Sequence, residues 1–246
     1  MWSSFQDSEY LFSFLTFNPL TMLTSLKQHS FFFFKDLFNV KFFFSFSAVY
    51  HSNYDSFNWV QNFGDSNFSY HAALAQFHGY MILRLADDSV LPFDHTDYAY
   101  SMFSQISSYQ TKYGNLSIDW NPLLNAIQLF NQSAVSVNTE AQSYLLWENG
   151  KDPSQATEKA LQLRDINDRL MKVDRTLLSN DPLLTASSFY NHVIYSFSSD
   201  DSYESDLWPG LVAQLVQGNA SQAQFVLGRL ALIVEAAAYS LSDSLL

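Results

Sequence analysis

The chain has 246 residues and a net charge of −12, from 12 Lys and Arg against 24 Asp and Glu, and it contains no cysteine. That length supports a sizeable core, while the acidic balance argues against nucleic acid, whose phosphates call for clustered cations, and against adsorption to anionic lipid. Without cysteine, disulfides and thiolate metal sites are excluded.

Phenylalanine is concentrated at the start: 13 of the 23 lie in residues 1–46. A secretory leader needs a basic start and a small-residue cleavage site, and this segment opens MWSSFQDSEY. A membrane span needs about 20 uninterrupted apolar residues; Lys27, His29, Lys35, Asp36 and Lys41 break every run. We therefore expect neither a leader nor an anchor here. The run HSFFFFKDLFNVKFFFSFS reads equally well as translated pyrimidine-rich DNA, so residues 1–46 stay unassigned; as protein, such a run must be buried to escape aggregation.

Helical patterning begins near residue 65. Residues 66–88 carry dense apolar positions without proline and predict one buried helix, capped by Asp65 or Ser66. Pro92 then enforces an extended link. In 95–114, Tyr98, Met102, Ile106 and Tyr109 recur at helical spacing, with Gly114 suited to a C-cap. Residues 119–150 predict a long helix with Pro122 in its first turn and Leu123, Ile127 and Phe130 on one stripe. The next helix, 151–179, has Asp152 as cap, Pro153 at its first position and a seam of Ala160, Leu163, Ile166, Leu170, Val173 and Leu177. Residues 189–210 read as an acidic, aromatic loop in which HVIY is a short strand or turn. The last helix, 221–246, is apolar nearly all round, so it is central to a bundle or pressed against a partner chain.

Three stretches in order, VYHSNYDSF (49–57), LADDSVLPFD (85–94) and NDRLMKVDRTLL (167–178), followed by FYNHVIY and WPG, resemble the glutamate carboxypeptidase II family of zinc peptidases, relatives of the transferrin receptor. The resemblance covers residues 48–246 and matches only the C-terminal part of such proteins. It implies a mainly α fold: a helical-bundle dimerisation domain at 96–246, preceded at 47–95 by a remnant of an α/β zinc-peptidase domain. Lacking its own sheet, that remnant should be poorly ordered or propped against the helices. The resemblance also implies a homodimer built by the C-terminal helices.

The family's site holds two bridged zinc ions. By resemblance, His51 is the last zinc ligand and Tyr50 donates a hydrogen bond to the tetrahedral intermediate, roles that suit a neutral imidazole and a phenol. A lysine and a tyrosine from the family's irregular loop bind the substrate's terminal glutamate; the matching positions are Ser202 and Tyr203, so the lysine is not kept. Around them Asp200, Asp201, Glu204 and Asp206 would repel a carboxylate. One histidine does not make a zinc site, and the family's other ligands and general base lie upstream of the match. We therefore expect a non-catalytic dimerisation module that binds no zinc alone. The alternative is the C-terminal piece of a longer two-zinc carboxypeptidase, with a peptide substrate only where the full site exists. A membrane-anchored, lumenal or extracellular location follows from the resemblance alone.

The remaining candidates have plain readings. His71 and His78 stand two turns apart, roughly 10 Å, too far for one metal, and read as helix-face or core residues. His192, beside the acidic loop, either lines the family's pocket or is a hydrogen-bonded structural histidine, and the second reading is preferred. The pairs Asp87–Asp88 and Asp200–Asp201 read as solvated carboxylates. Four glycosylation triplets, at Asn67, Asn115, Asn131 and Asn219, carry little weight in a chain this rich in Asn and Ser.

Overall fold

The structure, a computed structural model, describes residue 49 and residues 52–150, 152–187, 189–197 and 205–242. The Phe-rich segment lies outside the described residues, as do Tyr50, His51, Ser202, Tyr203, Asp200, Asp201 and Glu204.

Helix α1 (Phe57–Trp59) starts at Ser56, whose hydroxyl accepts from the Trp59 amide, and widens into a π-helical turn at Val60–Gly64. Helix α2 (Ser69–Asp87) follows. The expectation of a buried helix is corrected here: no residue of α2 is buried, and Ile82 and Leu83 are 67% and 59% exposed. The reason is placement. Only the C-terminal end of α2 approaches the bundle, where Tyr80, Arg84 and Leu85 line one side of a groove against Ala141 and Leu145. The predicted cap is also altered in form. Phe68 occupies the cap position with a left-handed backbone, and the Asp65 carboxylate reaches forward to accept from the His71 amide (3.0 Å).

Residues 88–94 form a link without helix or strand, bent at Ser89 and Val90 and turned at Pro92, where the Phe93 amide donates to the Leu91 carbonyl (2.8 Å). This strap is tied down. Asn167 donates to the Ser89 carbonyl (2.9 Å) and accepts from the Leu91 amide (2.9 Å), while the Ser89 hydroxyl donates to Glu148 (2.6 Å). At its end, Asp94 caps α3 (His95–Lys112) by accepting from Thr96, and the same oxygen accepts from Asn138 (2.9 Å) on the neighbouring helix. These bonds hold residues 89–94 against α4 and α5. Helix α3 ends on Tyr113; Gly114 follows without a left-handed turn, contrary to its expected capping role.

Helix α4 (Asn121–Gly150) and helix α5 (Ala156–Thr176) are the long members of the bundle. A short turn at Pro153–Gln155, capped by Asp152, leads into α5. Its seam is buried at Ile166, Leu170, Val173 and Leu177, but Ala160 is exposed, because the first turns of α5 project beyond the bundle. After the single turn α6 (Pro182–Thr185), strands β1 (Tyr195–Phe197) and β2 (Ser205–Leu207) pair antiparallel, with Tyr195 opposite Leu207. The second strand revises the reading of this stretch as loop. Helix α7 (Pro209–Val216) and helix α8 (Ala220–Leu241) complete the described fold.

The core lies where α8 packs along α4 and α5, with α3 packed against α4. Tyr98, Phe130, Val137, Ile166, Leu227 and Val234 are fully buried there. Ala223, Ala231, Ala237 and Ala238 on α8 are also buried, and such short side chains let neighbouring backbones approach closely. Burying each Leu or Phe contributes about 1.5–3 kcal/mol, so this apolar seam is the main source of cohesion. Two polar clasps set its ends. Gln224 accepts from the Asp119 amide and donates to the Asp119 carbonyl, joining the start of α4 to α8. Arg169, 6% exposed, pairs with Glu140 and Asp165 and donates to the Leu241 carbonyl (3.0 Å), joining α4, α5 and the end of α8.

Candidate functional site

Helix α8 has two unlike faces. One supplies nine buried residues to the core. Opposite it, Phe225, Leu232 and Tyr239 are 54%, 66% and 54% exposed. They recur every seven residues, which is two helical turns, so they form a single stripe. Between them, Arg229 and Ala236 are exposed on the same line. The Arg229 guanidinium lies 6.0 Å from the Phe225 ring and pairs with Asp181, the cap of α6. The cation is therefore neutralised within the chain, and the stripe presents an apolar surface. The neighbouring outer face of α4 is mostly polar, carrying Asn125, Gln128, Asn131 and Gln132. The charge and shape of the α8 stripe suit a flat apolar contact rather than small-molecule chemistry.

A second cluster surrounds His192. Its ring lines a shallow pocket of about 320 Å³ with Asp174, Arg175, Leu178 and Tyr195. The His192 Nδ1 accepts from the amides of Ile194 and Tyr195, both at 3.1 Å. An acceptor Nδ1 fixes the neutral tautomer with hydrogen on Nε2, and Nε2 faces the Tyr98 hydroxyl at 3.5 Å. Burial holds the His192 imidazole below its ordinary value, against the attraction of Asp174. Burial likewise raises Tyr98 and Tyr195, whose rings stack 5.7 Å apart. The reading of His192 as a hydrogen-bonded structural residue agrees with this geometry.

The other described histidines are also engaged. His71 Nδ1 lies 2.6 Å from Asp65, and His78 Nδ1 lies 3.0 Å from the Leu74 carbonyl. His95 is 5% exposed, with Nε2 donating to the Leu170 carbonyl (3.0 Å). Among the described residues no group of three His, Asp or Glu side chains is placed to hold a metal ion. Asp88 is paired with Arg84 rather than with Asp87. The four residues singled out by resemblance, Tyr50, His51, Ser202 and Tyr203, lie outside the described residues; Ser202 and Tyr203 stand in sequence between β1 and β2.

Two features escaped sequence reasoning. The α8 stripe was hidden because the helix is apolar nearly all round, though the seven-residue spacing of Phe225, Leu232 and Tyr239 was a usable signal. The double acceptor role of His192 had none, since it depends on the backbone folding back within three residues.

The described residues thus form a mainly α-helical bundle centred on α4, α5 and α8. The transferrin receptor-like dimerisation domain family matches residues 118–242. The chain belongs to that family. It is 34% identical over 163 residues to a probable glutamate carboxypeptidase of Arabidopsis thaliana, covering 66% of this chain and 22% of the relative. An aminopeptidase of Rattus norvegicus is 32% identical over 152 residues, 60% of this chain and 19% of that protein. An inactive zinc metalloprotease of Schizosaccharomyces pombe is 25% identical over 185 residues, 74% of this chain and 23% of that protein. The chain thus spans about a fifth of the length of these relatives.

Proposed function

We propose that this chain acts as a non-catalytic homodimerisation module, with two copies meeting through the outer face of α8. The observation that carries this reading is the stripe of Phe225, Leu232 and Tyr239, left exposed on a helix whose other face is fully packed. Such a stripe on a central helix needs a partner surface, and the family's dimerising role supplies its identity: a second copy, related by a two-fold axis. Residues 96–246 form the module under this proposal, and residues 47–95 are the remnant of a preceding peptidase domain.

Replacing Leu232 by Asp tests it. In a symmetric dimer each copy loses one apolar contact and buries one carboxylate, so dissociation is expected to rise roughly 100-fold or more. Sedimentation of the wild-type chain should give a dimer at micromolar concentration, unchanged by a zinc chelator. Leu232→Asp should sediment as a monomer with an unaltered helical circular dichroism spectrum. A wild-type monomer, or a dimer that tolerates the aspartate, would remove the proposal.

The second reading, a C-terminal piece of a longer zinc carboxypeptidase, is favoured by one observation: the curated relatives extend far beyond the matched stretch. Under it, Tyr50 and His51 contribute to a site whose remaining ligands come from sequence not present here, and any peptide substrate belongs to that longer protein. Mapping the 5′ end of the transcript separates the two readings. Upstream coding sequence with further His, Asp and Glu ligands supports the enzyme, and a message starting at Met1 removes it.

A further inference from the structure

We infer that His192 is a proton-operated latch on the β1–β2 hairpin: neutral, its Nδ1 holds the backbone at Ile194 and Tyr195, and protonated, it must let that backbone go. This goes beyond dimerisation and does not depend on it. The stretch around His192 is fixed on two sides. On one side it is clipped to the end of α5 and the residues after it: the Val193 amide donates to the Leu177 carbonyl (2.9 Å) and the Ser179 amide to the Asn191 carbonyl (2.6 Å). On the other side the chain continues into β1, where the Ile194 carbonyl accepts from the Trp208 amide (2.8 Å). His192 sits at the junction and holds the hairpin side through two amide hydrogen bonds to one nitrogen.

A proton on that nitrogen turns an acceptor into a donor facing two donors at 3.1 Å. The ring must turn away or the backbone must move, and Ile194, 2% exposed, is then left with a buried unpaired amide. The charged and titratable groups facing the ring among the described side chains are Asp174 and Arg175 from α5, Tyr98 from α3 and Tyr195 from β1. Asp174 favours the imidazolium and burial opposes it. The folded value lies below the unfolded value near 6.5, so the latch is secure above that pH. It weakens as pH falls through the interval below 6.5, because the released state binds the proton more tightly. His95 is shifted in the same direction by burial and adds a general acid sensitivity, which the test must separate.

Amide hydrogen exchange on the full chain at pH 7.5 and 5.5, corrected for intrinsic rates, makes that separation. In the wild type, exchange at Ile194, Tyr195 and Trp208 should accelerate severalfold at pH 5.5, toward the ceiling of about tenfold that one proton bound near 6.5 in the released state allows, and by more than Ala134 and Val137 in α4 and Val193 at the clip. His192→Asn, whose amide oxygen replaces Nδ1 as acceptor and does not titrate, should abolish the acceleration. Equal acceleration in that variant, no acceleration in the wild type, or an acceleration in α4 as large as in the hairpin would overturn the inference. Should the variant fail to fold, the ¹⁵N shifts of the wild-type His192 ring decide. Nδ1 should titrate in step with hairpin exchange, and titration uncoupled from it defeats the latch.

Discussion

Replacing Arg169 by methionine is expected to destabilise the bundle by about 3–5 kcal/mol, the range for breaking a buried ion pair from one side. The cause is not the loss of attraction as such. Arg169 is nearly buried, and its guanidinium satisfies Glu140, Asp165 and the Leu241 carbonyl together. Glu140 keeps a side chain 26% exposed, and Asp165 is half exposed, so water can recover part of their solvation. The Leu241 carbonyl is one of the last four of α8, which have no partner inside the helix. A cation there also complements the helix dipole. Methionine fills most of the volume but leaves these acceptors facing an apolar side chain. The melting temperature should fall by on the order of 10 °C, compared at one protein concentration because dimerisation is linked to stability. Adding Glu140→Leu to the methionine variant should restore part of the loss, since an apolar pair replaces an orphaned charge. A single variant that melts within 2–3 °C of wild type, roughly 1 kcal/mol, would show that the three-helix clasp is dispensable.

Gly210→Ala is expected to be the other large effect, and its sign opposes helix propensity. Gly210 stands in the first turn of α7, where alanine would normally gain up to about 1 kcal/mol. At this position, however, an added Cβ would overlap the carbonyl oxygens of Leu183 and Leu184 in α6. Those are backbone atoms, so no side chain can swing aside. Trp208, fully buried with a left-handed backbone, and Pro209 precede it and leave α7 little freedom to shift. Overpacking of this kind costs about 1–3 kcal/mol even where side chains can yield, and backbone contact places the variant at or above the upper end. Denaturant unfolding should show a lower midpoint with α7 displaced. Gly79→Ala, inside α2 with open space around its Cβ, provides the comparison and should hold or raise the midpoint, since alanine there gains up to about 1 kcal/mol. Equal midpoints for Gly210→Ala and wild type would mean that α6 and α7 separate freely.

Much of this architecture was legible in the residues. The stripe of Tyr98, Met102 and Ile106, the seam from Ile166 to Leu177 and the proline-marked starts at Pro122 and Pro153 each carry their own periodicity or cap, and each formed where expected. Burial was less legible. The apolar residues of 69–87 predict a helix correctly but not its neighbours, and nothing local says that only its last turns meet the bundle. The pairing of Tyr195 with Leu207 was invisible because three-residue strands show no alternation to read. Arg169 and Gly210 draw their importance from partners 29 to 72 and 26 to 27 positions away, which single-sequence patterns do not encode. For the candidate site, spacing could expose the stripe on α8, whereas the positions taken from family resemblance rested on matching alone.

The seven-residue repeat on α8 also fixes where symmetry can act. Phe225 and Tyr239 stand equally far from Leu232, each about 10.5 Å along the helix. If two copies meet antiparallel along the whole stripe, a perpendicular two-fold axis passes near Leu232, setting that residue against its own copy. Phe225 then meets the partner's Tyr239 at both ends, so aromatic faces aromatic twice over. An antiparallel slip by one turn would set Leu232 near Arg229 or Ala236 and break both aromatic meetings at once. The spacing therefore acts as a ruler: of the antiparallel alignments, only the one centred on Leu232 engages all three side chains of both copies.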